Sequence, residues 1–160
     1  MPMIRMPRSR LGKGGAALAI AIATVGAFEG VRQVAYRDIV GVPTVCFGET
    51  RGVKMGDKYK MAECKEMLGD ALIEFSAGID SCLRVPTPDL TYVAIVSWAY
   101  NVGLGAACGS TLIRLANAGD LLGACNQLPR WNRAGGKKVR GLTRRRAEEQ
   151  KMCIKGLHES

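Results

Sequence analysis

Residues 28–48 read FEGVRQVAYRDIVGVPTVCFG, and they begin where an uncharged, alanine-rich run ends. A carboxylate, Glu29, therefore stands directly against a segment of membrane-like composition. From position 36 to about 59 the chain is punctuated by Gly41, Pro43, Gly48, Gly52 and Gly56, with β-branched residues between them. Such punctuation predicts a short antiparallel sheet or hairpin region. If a helix ends at Glu29 and the strands fold back past it, Glu29, Asp38 and Thr44 face one cleft.

Outward from that stretch the pattern turns helical. Met61, Cys64, Leu68, Ala71, Leu72, Phe75, Ile79 and Cys82 recur at spacings of about three and four, which predicts a long amphipathic helix over 61–83. Thr87 and Pro88 read as a cap and first helical residue opening a second helix to about Asn101, apolar enough to be central. Ser110 and Asp120 read as caps of two short helices, separated by Gly119 and stopped at Pro129, and a last helix is expected over 143–155. Helix, small sheet and helical bundle in that order predict an α+β fold, with a cleft between a small sheet lobe and a larger helical lobe.

On the other side, residues 1–13 carry Arg5, Arg8, Arg10 and Lys13 without an acid, and residues 14–28 then run for 15 positions without a charge. A basic flank before an apolar run is the layout of an export or anchor segment. Fifteen helical residues span roughly 22 Å, short of a roughly 30 Å hydrocarbon core. Leu18, Ile20, Ile22, Val25 and Phe28 together favour insertion by only about 2 kcal/mol. A cleaved signal peptide, a buried first helix and a reversible anchor all fit this composition.

The charge balance, 23 Lys and Arg against 14 Asp and Glu, favours a polyanionic partner. Eight of these cations, Arg130, Arg133, Lys137, Lys138, Arg140, Arg144, Arg145 and Arg146, form a stretch without an acid. It carries a single aromatic, Trp131, and no nucleic-acid motif, so attraction to an anionic wall or membrane, or a solvated face, is the reading kept. Six cysteines without a CxxC pair, and one histidine, His158, argue against a metal site. They suit a disulfide framework in an oxidising compartment or, alternatively, buried reduced thiols. Trp98 is assigned to the core, and Asn101 to the cleft wall.

Two carboxyls and a hydroxyl are the inventory of glycoside hydrolysis, in which one acid protonates the leaving oxygen while another group positions water. The spacing of Glu29, Asp38 and Thr44 resembles the catalytic motif of the phage lysozyme family of the T-even type, glycoside hydrolase family 24. That motif is Glu, eight residues, Asp or Cys, five residues, Thr. Downstream, AECKEML, SWAYNVG, STLIRLANAGD, ACNQLPRW, AGG and GLTRRRAEE also resemble the exported branch of that family, over residues 29–157.

The resemblance implies a lysozyme-like fold and a muramidase that cleaves the β-1,4 bond of peptidoglycan with inversion, without metal or organic cofactor. It implies Glu29 as general acid, Asp38 as the carboxylate that orients or activates water, and Thr44 as a hydroxyl that helps hold it. The N-terminus resembles signal-arrest-release endolysins, whose uncleaved anchor later leaves the bilayer. By that resemblance residues 1–28 are flank and anchor, and 29–160 the catalytic domain. The partners are then peptidoglycan and, through residues 14–28, the inner membrane facing the periplasm. Nucleic acid is not expected as a partner, and the released protein is expected to be monomeric and soluble in the periplasm. No cysteine precedes Cys46, so control of activity is expected to be steric.

Overall fold

The computed structural model describes residues 10–159. Helix α1 (Ala16–Glu29) opens the described chain, and Gly30 ends it with φ 72° and ψ 167°, a backbone conformation essentially reserved for glycine. The chain thereby leaves the helix at Glu29 and enters strand β1 (Arg32–Arg37), which pairs antiparallel with β2 (Pro43–Cys46). Tyr36 lies opposite Thr44 in this register. An isolated bridge between Val34 and Lys58 adds a third edge to the hairpin.

Helix α2 (Met61–Cys82) follows. Its 22 residues span about 33 Å and join two cores. Cys64 belongs to a small cluster with Ala35, Val45 and Cys46, whereas Leu68, Leu72 and Ile79 enter the large one. Helix α3 (Asp89–Val102) is buried continuously from Thr91 to Ala99 and forms the axis of the large lobe. Trp98 is wholly buried, as its place in an apolar helix predicted.

Ser110 and Asp120 accept hydrogen bonds from the backbone of Ile113 and Gly123, and so cap the two short helices expected of them. After α4 (Leu104–Cys108), these are α5 (Thr111–Asn117) and α6 (Leu121–Gln127), with a single 3-10 turn at Leu128–Arg130. A two-residue-per-strand hairpin, β3 (Arg133–Ala134) and β4 (Lys137–Lys138), leads into α7 (Arg140–Glu159).

Five details differ from the sequence reading. The second long helix begins at Asp89: the Pro88 carbonyl accepts the Tyr92 N–H at 2.8 Å, and the Thr87 hydroxyl turns back to the Val85 carbonyl. Strand β1 begins at Arg32 rather than near 36, and α7 starts three residues earlier than expected. Helix α4 and the β3–β4 hairpin were not anticipated, because elements of five and two residues carry no readable periodicity.

All six cysteines are paired, as Cys46–Cys64, Cys82–Cys108 and Cys125–Cys153. The first bond ties β2 to α2, the second α2 to α4, and the third α6 to α7. Leu11, Leu18, Ala21 and Val25 lie in the large core with α2 and α3. The first helix is therefore part of the folded lobe. Among the described residues no helix is long and apolar enough to cross a membrane.

Candidate active site

Glu29 is the last residue of α1, and its side chain is 29% exposed. Oε1 accepts a hydrogen bond from Arg145 Nη1 at 2.8 Å, while Oε2 has no hydrogen-bond partner among the described residues. The Arg145 guanidinium also lies 4.8 Å from the centre of the Phe28 ring, so the final turn of α1 rests on one arginine through two neighbouring residues.

Arg145 is itself fixed in a buried network. Its Nε donates to Glu149 Oε2 at 3.2 Å, and Nη2 donates to the Ser97 carbonyl at 2.9 Å. The Ser97 hydroxyl donates to the same Glu149 oxygen at 2.6 Å. Arg146 donates to Glu149, to the Trp131 carbonyl at 2.8 Å and to the Asn101 side chain. Burial pulls the Arg146 guanidinium below the usual arginine range, and Glu149 beside it opposes that shift. Arg145, Arg146 and Glu149 are buried, and Glu29 is the second carboxyl in contact with this pair of cations.

The other two candidates share the β1–β2 hairpin. Asp38 Oδ1 accepts from the Val40 and Val42 amides, both at 2.9 Å, and its Oδ2 has no hydrogen-bond partner among the described residues. The Asp38 amide and the Thr44 hydroxyl both donate to the Val42 carbonyl, at 3.0 and 2.9 Å. Asp38 and Thr44 are thus set by one peptide unit, and Thr44 is buried. No hydrogen bond joins Glu29 to the hairpin pair among the described residues; the two sides are related through the Gly30 turn.

Neither of two prominent cavities is lined by the three candidates. One of 520 Å³ runs along α1, lined by Ala19, Ile22, Ala23, Gly26, Ala27, Phe47 and Lys65. Another of 360 Å³ is walled by Arg51, Glu74, Phe75 and Tyr100, among others. Tyr100 connects the second to the site: burial holds its hydroxyl above the usual tyrosine range, and the Glu29 and Glu49 carboxylates add to the effect.

Two residues of the site escaped the sequence reading. Arg145 and Arg146 belong to the acid-free basic stretch, yet both are buried rather than presented to a wall or solvent. The signal was just beyond it, since Glu149 follows Arg145 by four positions and Arg146 by three. Asn101 is exposed and tied to Arg146, while Trp131 packs edge-on against Trp98 with ring centres 5.2 Å apart.

Comparison with known proteins identifies the family. Residues 26–149 match the family described as phage lysozyme. A SAR-endolysin of Bacteriophage PS119 is 44% identical over 147 residues, covering 86% of this chain and 88% of that protein. The fold superposes on the endolysin of Escherichia coli O157:H7 phage FAHEc1 with a TM-score of 0.75, at 31% identity and 94% coverage of each chain. It superposes on the active form of the P1 phage endolysin Lyz with a TM-score of 0.78, at 26% identity, covering 91% of this chain and 87% of that one. With its acid-ended first helix, its hairpin and its match across most of its length, the chain belongs to the phage lysozyme family, among the SAR-endolysins.

Proposed function

We propose that Glu29, Asp38 and Thr44 carry the chemistry of this endolysin, a muramidase that hydrolyses the β-1,4 bond between N-acetylmuramic acid and N-acetylglucosamine in peptidoglycan. The observation that supports this most is the state of the two carboxylates. Each has one oxygen tied down by protein donors, and the other without a hydrogen-bond partner among the described residues. Glu29 can then offer a proton to the leaving oxygen through Oε2 while Arg145 keeps it in place. Asp38 can orient or activate water through Oδ2, and Thr44, whose own proton goes to Val42, can accept a hydrogen bond from that water. Water entering opposite the leaving group gives inversion, for which the carboxyls need a separation of about 6.5–9.5 Å.

The same reading gives residues 1–28 a second role as flank and reversible anchor, with 29–160 as the exported catalytic part. Transferring Arg5, Arg8, Arg10 and Lys13 outward against a membrane potential costs roughly 2.3 kcal/mol per charge per 100 mV, or about 9 kcal/mol for the four. That exceeds the weak preference of the apolar run for lipid and is the hold on the anchored form. Once the potential collapses, burying Leu11, Leu18 and Val25 in the large core, at about 2 kcal/mol each, outweighs the roughly 2 kcal/mol of insertion. The segment then folds as α1 and delivers Glu29 to the hairpin. The released protein acts in the periplasm as a monomer, and its disulfides are purely structural.

Mass spectrometry of fragments released from purified peptidoglycan tests the chemistry. Wild-type protein should yield fragments with reducing N-acetylmuramic acid ends, and Glu29→Gln should yield none. Anhydro-muramic ends would instead identify a lytic transglycosylase, and lysis retained by Glu29→Gln a membrane disruptor.

A further inference from the structure

The end of α1 remote from Glu29 is held by a second group of charges that the catalytic reading does not use. Arg10, six residues before the helix, reaches the end of α2 and the segment after it. Its amide donates to Asp80 Oδ2 at 3.2 Å, and its Nη2 donates to the carbonyls of Leu83 at 3.2 Å and Val85 at 2.9 Å. Its Nε lies 3.7 Å from Asp80 Oδ1, and the guanidinium stands 5.0 Å from the centre of the Tyr92 ring. Leu11, the next residue, is wholly buried.

The receiving groups form a cup. Asp80 and Tyr92 are both buried, and the Tyr92 hydroxyl donates to Asp80 Oδ1 at 2.6 Å, which fixes the carboxylate. Because α2 ends at Cys82, the Leu83 and Val85 carbonyls lie beyond the helix and accept from Arg10, Val85 alongside the Thr87 hydroxyl. One carboxylate, two carbonyls and a ring face match the planar donor fork of a guanidinium better than a compact ammonium. Arg10 is partly buried, and its Nη1 has no hydrogen-bond partner among the described residues, so Nε, Nη2 and the ring contact carry its attachment.

Arg10 also belongs to the basic flank, which stays on the inner side of a membrane while residues 14–28 are inserted. Asp80 and Tyr92 are then on the outer side. We propose that this cup is a docking site for the chain's own Arg10, empty in the anchored protein and filled on release. Capture of Arg10 fastens the segment that leads into α1 and thereby supports the helix that ends at Glu29. The proposal rests on the anchored reading given above.

The test uses the purified, released full chain and its Arg10→Gln, Arg10→Lys and Asp80→Asn variants. Hydrogen exchange of α1 amides should quicken roughly tenfold or more in Arg10→Gln, with α3 amides unchanged as the control for intact folding. A larger share of Arg10→Gln than of wild type should return to vesicles of phosphatidylethanolamine and phosphatidylglycerol, and Arg10→Lys should fall between them. In an Asp80→Asn background the effect of Arg10→Gln should largely vanish; full additivity would overturn the cup as its partner. Wild-type exchange and partitioning in Arg10→Gln would overturn the docking role. If wild-type protein never sediments with membranes during expression while Arg10→Gln still speeds exchange, the anchored reading and the staged filling both fail, and only a static clamp remains.

Discussion

Arg145 and Glu29 are 116 residues apart in the chain and joined by a hydrogen bond of 2.8 Å. One residue ends the first helix and the other lies in the last, so the contact closes the large lobe around the candidate acid. The arginine can hold Glu29 because Glu149 and Ser97 hold the arginine. Replacing Arg145 by Ala leaves Glu149 with one cation instead of two and Glu29 with none, and should destabilise the fold by about 3 kcal/mol. Arg145→Lys keeps the charge but loses the fork, and should fold while hydrolysing peptidoglycan roughly 10- to 100-fold more slowly. A folded Arg145→Lys enzyme with the wild-type rate would show that the contact does not position Glu29.

Gly30 is the turn that separates the acid from the hairpin. Space around it is open, so a methyl group there meets no neighbour, and only the backbone conformation at φ 72° opposes substitution. Gly30→Ala should therefore cost about 1–3 kcal/mol of stability, together with a larger loss of rate than of substrate binding. Unfolding by urea and steady-state hydrolysis measure the two separately, and an unchanged rate would contradict the role of the turn.

Asp38 allows a cleaner separation of chemistry from folding. The Oδ1 atom of an asparagine can accept the same amides of Val40 and Val42, so Asp38→Asn should keep the hairpin while losing the carboxylate. The expected result is a rate lowered by about 10²–10⁴-fold with the melting temperature nearly unchanged. A variant that remains as active as wild type would remove Asp38 from the mechanism.

Much of this arrangement is legible without coordinates, and the reasons are local. The long helices follow from apolar spacing, and Ser110 and Asp120 announce their helices because capping is an interaction between near neighbours. Arg145 and Arg146 were read with their basic neighbours because the charges that bury them, Glu29 and Glu149, come from outside that stretch, and one of them from the other end of the chain. Pairing of the six cysteines was equally invisible, since spacing does not record which helices become neighbours.

Two buried tyrosines give stability an alkaline dependence. Burial raises the Tyr92 hydroxyl, with the Asp80 carboxylate adding to the shift, and burial raises Tyr100 as well. In both, the folded protein favours the neutral phenol over the phenolate. That stabilisation is complete below the unfolded tyrosine value of about 10 and is lost as pH rises from there towards the folded values. Urea midpoints should accordingly fall above about pH 10, less steeply in Tyr92→Phe. A wild-type midpoint that rises over this range would contradict the assignment.

If anchor and first helix are one piece of chain, the intact mass of the lytically active periplasmic protein will record it. Leu11, Leu18, Ala21 and Val25 are core residues, so the active form should retain them and begin before residue 11. An active protein beginning at Phe28 would show instead that the apolar run is discarded, and that Glu29 works without the helix that carries it here.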